Sequence, residues 1–196
     1  IIGFTETFEA GGGEILFVSH SADPSEAVQK TNDYMTAYGD TDCIYATGED
    51  YITPAADVIK SRGITDCKIY GSNISPSVCQ LIMDGQVEAC TGGEFVCGSL
   101  AVTLLINYLD GNPIKDADGT APYFDNLTQF MVTAENAEDF YEFLSDENLA
   151  THTISDEEYQ NLLVRNNPDV DYDYFYDFLT NYEENVYAKV EANAAQ

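Results

Sequence analysis

Four short polar groups stand out because each follows a short apolar run: His20 and Ser21, Thr47 to Asp50, Ser72 and Asn73, and Gly92 to Glu94. Hydroxyl, amide and carboxylate groups gathered this way, with few aromatics, hold a small hydroxylated or cationic molecule by hydrogen bonds. They do not assemble a nucleophile. Ser19 and His20 are adjacent, and adjacent strand residues point to opposite faces. No serine sits in a nucleophile elbow. Carboxylate pairs such as Glu49 and Asp50 carry little weight in a chain with 35 acids. The expectation is a binding protein rather than an enzyme.

Other motifs read as structure. Gly11, Gly12 and Gly13 precede an apolar run, whereas a phosphate loop follows a strand and opens a helix. They read as a connector. Asp169, Asp171 and Asp173 begin like a calcium loop, but its sixth and twelfth positions would be Tyr174 and Thr180, where Gly and a bidentate Glu belong. These acids read as a helix start favoured by the dipole. The cysteines Cys43, Cys67, Cys79, Cys90 and Cys97 are odd in number and contain no C-x-x-C pair. They read as small buried hydrophobes. His20 and His152 lack zinc-like neighbours, so no metal and no cofactor is expected. Tyr172, Phe175, Phe178, Leu179, Tyr182 and Val186 recur at spacings of three and four, one packed helix stripe.

The positioning elements alternate. Strands are expected over 14–19, 43–46, 68–71 and 87–91, with a fifth extended stretch over 127–132. Helices are expected over 22–38 with Asp23 as cap, from Pro54 to Gly63 with Thr53 as cap, over 76–84 with Ser75 as cap, and over 95–110. This alternation predicts right-handed crossovers and an open α/β parallel sheet with helices on both faces. Ligands of such sheets sit beyond the carboxyl ends of the strands. The mouth is therefore where Ser21, Glu49, Asn73 and Glu94 are expected to bind a small polar ligand. After residue 133 the pattern is helical, over 133–144, 155–167 and 171–191. This divides the chain into an α/β ligand-binding lobe, 1–132, and an acidic helical C-terminal extension, 133–196.

The 196 residues carry 7 bases against 35 acids, a formal charge of −28. Nucleic-acid affinity rests on Lys and Arg releasing counterions, so no nucleic acid is expected through this segment. The longest apolar stretch, 100–106, is too short to span a bilayer. Ile1 and Ile2 follow neither an initiating Met nor a basic n-region, so the natural N-terminus is expected further upstream.

Residues 44–73 carry a resemblance. Ala46 to Asp50, then 59–66, then Lys68 to Asn73 resemble the C-terminal lobe of type I periplasmic sugar-binding proteins. This is the ribose- and galactose-binding family, whose fold is shared by LacI-like regulators. Residues 83–89 are similar to the family's helix end and next strand. Gly3 and Phe4 are similar to the helix that opens the lobe, and 23–29 to the helix after it. The likeness covers about 2–132 and leaves the helical tail without a counterpart. It implies one lobe of a hinged, two-lobed receptor, with the N-terminal lobe missing here. Such a receptor is the substrate-binding component of an ABC importer, with the transporter permease as partner. It is extracellular, as a periplasmic protein or bacterial cell-surface lipoprotein. The tail would cover apolar surface left by the missing half. The alternative implied is an effector-sensing domain of a LacI-like transcriptional regulator or membrane sensor.

By resemblance, the family's sugar-binding Asp after the third strand falls on Asn73. Its Asn-Asp pair falls on Gly48 and Glu49, its Arg on Glu26, and its Gln on Gly93 beside Glu94. Three of these four positions depart from the family's pattern.

Overall fold

The computed structural model describes residues 2–94, 96–145 and 153–195. Helix α1 (Ile2–Ala10) ends in the Gly11–Gly13 turn, with Gly12 at φ 90° and the Gly13 N–H returning to the Phe8 carbonyl. The glycine run is thus a helix-terminating connector. Then follow α2 (Pro24–Ala37), β1 (Cys43–Ala46), α3 (Glu49–Ser61), β2 (Lys68–Ser72), α4 (Pro76–Met83), β3 (Ala89–Gly92) and α5 (Val96–Leu109). The expected start of that last helix at Phe95 lies outside the described residues. β4 (Phe130–Thr133) and α6 (Ala137–Ser145), α7 (Asp156–Asn161), α8 (Tyr172–Thr180) and α9 (Tyr182–Ala194) complete the chain.

Helix starts follow local chemistry. The Asp23 carboxylate accepts the Glu26 N–H, and the Ser75 hydroxyl accepts the Val78 N–H, each beside a proline in the first turn. Asp171 accepts the Tyr174 N–H, so the acid run caps α8. α3 differs from expectation: it starts at Glu49, with Gly48 as N-cap, and Pro54 lies inside it. Proline in a first turn and proline just past it look alike in sequence.

The sheet order is β1-β2-β3-β4. β1, β2 and β3 run parallel, and β4 lies antiparallel to β3, with Gly92 opposite Phe130. α5 carries the chain away from the end of β3, and residues 110–129 bring it back to the same edge, so β4 starts where β3 ends. The expected strand over 14–19 is extended but unpaired among the described residues.

One sheet face, with Ile69, Cys90, Phe130 and Val132, is buried against α3, α4 and α6, and Phe130 stacks on Phe140 at 5.1 Å. α1 meets the other face, where Phe4 stacks on Tyr45 at 4.2 Å. The buried cluster runs from Met35 to Val190 without a break between sheet and tail.

The tail closes the β4 edge. The Tyr187 hydroxyl accepts the Met131 N–H at 2.9 Å and donates to the Met131 carbonyl at 3.0 Å, and the Thr128 N–H reaches the Leu179 carbonyl. A capped edge cannot recruit a foreign strand. Phe175, Leu179, Tyr182 and Val186 are buried, so the aromatic stripe is a packed face.

Candidate functional site at the carboxyl edge of the sheet

Three neighbouring parallel strands end together. Ala46 pairs with Gly71, Gly71 with Cys90, and Ser72 with Thr91. With strands spaced by about 4.8 Å, their three exits lie within about 10 Å of one another. Glu49 follows β1, Asn73 follows β2 and Glu94 follows β3, so all three leave the sheet at one edge.

Each is held for a local reason. Asn73 is exposed and adopts φ 75°, a left-handed conformation that Asn tolerates better than other side-chain-bearing residues. It turns the chain from β2 toward the Ser75 cap, which leaves its amide outside the sheet. Glu49 and Asp50 occupy the first turn of α3, where carboxylates meet unpaired N–H groups and a favourable dipole.

Glu94 follows Gly93, which sits at φ 123°. A Cβ on Gly93 would come 3.1 Å from Cε1 of the buried Tyr182 ring, so the turn between α8 and α9 presses on this exit. The Oε2 atom of Glu94 is sealed from solvent with no hydrogen-bond partner among the described residues. A carboxylate oxygen so placed calls for a donor. Burial first, and the Glu94 charge second, push the Cys90 thiol up to about 12.

Ser21 arrives differently. The stretch before it is not a strand of the sheet, so Ser21 is not at a strand end. Its carbonyl accepts the Tyr51 hydroxyl at 3.0 Å, which ties the loop before α2 to the first turn of α3. Ser21 lines a cavity of about 940 Å³ beside β1, and Glu49 lines a shallower depression of about 440 Å³ between α2 and α3. Neither of these two takes in Asn73 or Glu94. Glu26 is committed elsewhere: its carboxylate accepts the Ala22 N–H, which holds its pKa below the ordinary glutamate value, and pairs with Lys30 at 2.9 Å.

Two features escape a strand-end reading. Thr128 and Gln129 enter this edge because β4 is antiparallel. The length of the connector after α5 was the available signal. Tyr51 is the other, and a hydroxyl bond across thirty residues leaves no mark in sequence.

An open α/β lobe with polar groups at the carboxyl ends of its strands defines a ligand-binding lobe. The chain belongs to the periplasmic binding protein domain family, whose model matches residues 1–113. Among solved structures it resembles the periplasmic binding protein component of the arabinose ABC transporter from Shewanella sp. ANA-3, bound to α- and β-L-arabinofuranose. The identity is 19% and the TM-score 0.62, over 76% of this chain and 50% of that one. A galactofuranose binding protein gives 17% identity and TM-score 0.60, over 75% of this chain and 50% of that one. The Caulobacter myo-inositol binding protein bound to myo-inositol gives 18% and 0.58, over 70% and 47%. At such identities the likeness is one of fold, and this chain spans about half the length of those structures. These relatives are binding proteins rather than enzymes. No curated protein matches the chain.

Proposed function

We propose that this chain is the C-terminal lobe of a two-lobed solute receptor serving an ABC importer, and that it takes a small hydroxylated, sugar-like molecule. The observation that carries the reading is the shared exit of β1, β2 and β3, which gathers Glu49, Asn73 and Glu94 at one edge. Asn73 offers two donors and an acceptor to hydroxyls, and Glu49 and Glu94 accept from them. Ser21 is the weaker contributor, from the loop tied to Tyr51. Acids at this edge disfavour an anionic solute. On this reading the protein is a receptor and not a catalyst, and it works outside the cytoplasmic membrane, periplasmic or tethered to the cell surface. The half-length match supports a second lobe that closes over the same edge, with the permease as docking partner. The extension after residue 133 acts as a brace on the β4 edge, not as a ligand site.

The test is thermal unfolding of the full-length receptor against L-arabinose, galactofuranose, ribose, myo-inositol, polyols and nucleosides. A solute at a hundred times its Kd stabilises by about 2.7 kcal/mol. A clear rise in Tm with one class supports the proposal. A flat panel, together with a helix-turn-helix in place of an export signal upstream, would overturn it in favour of a regulator's sensing domain.

A further inference from the structure

Gly92 and Gly93 lead from β3 to Glu94 with no Cβ between them, and Gly93 sits at φ 123°. Glycine moves between positive and negative φ at little cost, so the backbone alone does not hold this exit in one shape. The Oε2 atom of Glu94 has no hydrogen-bond partner among the described residues. That oxygen is therefore placed by the chain leading to it. The same turn starts α5, where the Val96 and Cys97 N–H groups donate to the Gly93 and Glu94 carbonyls, each at 3.1 Å. A shift at Gly93 moves Glu94 and the helix start together.

Packing supplies what the backbone lacks. A Cβ on Gly92 would fall 2.4 Å from Ile74 Cγ2 and 2.7 Å from Phe130 Cε2, and one on Gly93 would fall 3.1 Å from Tyr182 Cε1. Buried Ile74, Phe130 and Tyr182 thus close on the two glycines. Ile74 directly follows Asn73, which locks the β2 exit to the β3 exit. Tyr182 backs the group: its ring is fully buried and lies 6.5 Å from Phe130 and 6.4 Å from Phe178, centre to centre. It opens α9, and the turn around it is tied to the approach of β4. Asn126 Nδ2 donates to the Tyr176 carbonyl and to the Thr180 hydroxyl, each at 2.7 Å. The Thr128 hydroxyl donates to the Leu179 carbonyl at 3.1 Å and accepts the Glu183 N–H at 3.0 Å. A tyrosine so anchored is a fixed wedge.

We propose that Tyr182 is a positioning residue for the solute site: its ring holds the Gly92–Gly93 exit in the one shape that delivers Glu94 to the carboxyl edge of the sheet. The role rests on the reading of Glu94 and Asn73 as solute contacts. Tyr182 touches no solute and acts only through the two glycines. A contact residue keeps its affinity only while its supporting shell fixes it to within about half an ångström. Tyr182 lies outside residues 1–113, which the family model matches, so the extension braces the solute edge as well as β4.

The test reads the exit and the solute separately, on the full-length protein. Without solute, Tyr182→Leu is expected to speed hydrogen exchange of the Val96 and Cys97 amides about 10-fold, while Tyr182→Phe, which keeps the ring, leaves them as in wild type. With whichever of L-arabinose, ribose, galactofuranose and myo-inositol raises Tm, Tyr182→Leu is expected to weaken binding about 10-fold and Tyr182→Phe to preserve it. Val190→Ala removes buried atoms from the same helix, two turns beyond the exit. It is expected to lower Tm and leave both readouts unchanged. Thr128→Val frees the turn without opening a cavity at the ring, so it is expected to act in the same direction and stands in for the leucine variant if that one does not fold. Exit amides that exchange alike in wild type and Tyr182→Leu would overturn the proposal. So would an equal loss of affinity in Val190→Ala, the mark of general destabilisation. If Glu94→Gln weakens binding and Tyr182→Leu does not, the positioning role falls and the solute site stands. Loosened exit amides in a protein that binds no sugar would fault the solute reading and not the clamp.

Discussion

Asn107 joins the helical extension to the sheet-bearing half, and its removal is expected to be costly. It lies on α5 and is fully buried. Its Nδ2 donates to the Leu162 carbonyl at 2.9 Å, and its Oδ1 accepts the Val164 N–H at 2.9 Å. Asn107→Ala leaves both backbone groups unpaired. Each buried orphan costs about 1–3 kcal/mol. Leu162 is 1% exposed, but Val164 is half-buried, so water recovers part of the second penalty. The expected loss is about 2–4 kcal/mol, a large share of the 5–15 kcal/mol typical of a domain. Asn107→Asp keeps the acceptor and replaces the donor with an oxygen facing a carbonyl, so it should cost at least as much. Urea unfolding reads both, as a midpoint lower by about 1–2 M at unchanged slope. A shift below about 0.5 kcal/mol for Asn107→Ala would refute the claim that this residue anchors the extension.

Other consequences are as direct. A Cβ at Gly71 would stand 2.4 Å from Ile52 Cδ1 and 3.0 Å from the Ala46 carbonyl oxygen, so Gly71→Ala should destabilise by about 1–3 kcal/mol, and added Ile52→Val, which deletes Cδ1, should return part of it in the same unfolding assay. Burial opposes ionised Glu158, but Lys189 at 2.5 Å and the Ser155 N–H and hydroxyl outweigh it and hold its pKa below the ordinary glutamate value. That depression adds stability above the unfolded-state pKa, which is lost as pH falls through the lower folded value, so Lys189→Met should flatten the acid limb of Tm against pH. Burial pushes the thiols of Cys79 and Cys90 up to about 12 while Cys97 is exposed, so native-state alkylation at pH 8 followed by mass spectrometry should mark Cys97 first and those two after unfolding.

What was legible in the sequence was local. Asp23 with Pro24 and Ser75 with Pro76 announce their helices because a capping side chain and the backbone N–H that donates to it lie three residues apart. The β-α alternation places Glu49, Asn73 and Glu94 at one edge, because each parallel crossover returns the chain to the same side. Pairing partners were less legible. Residues 14–19 have strand composition, yet whether they join a sheet depends on a neighbour far away in sequence or outside it. The direction of β4 depends on the path of residues 110–129, which carry no helix to mark a crossover. The left-handed turn at Asn73 and the Ser21–Tyr51 tie arise from tertiary geometry, and they separate residues that merely follow a strand from residues whose side chains are free at its end.

The central claim is that a solute is held at the carboxyl edge of β1, β2 and β3. Its most direct measurement is calorimetric titration of the full-length receptor and its Asn73→Gly variant with the solute that raises Tm. Glycine keeps the φ 75° turn without strain and removes only the amide. The account predicts an affinity at least 10-fold weaker, about 1.4 kcal/mol, with Tm of the free protein unchanged. An unchanged Kd for Asn73→Gly and also for Glu49→Gln would contradict it.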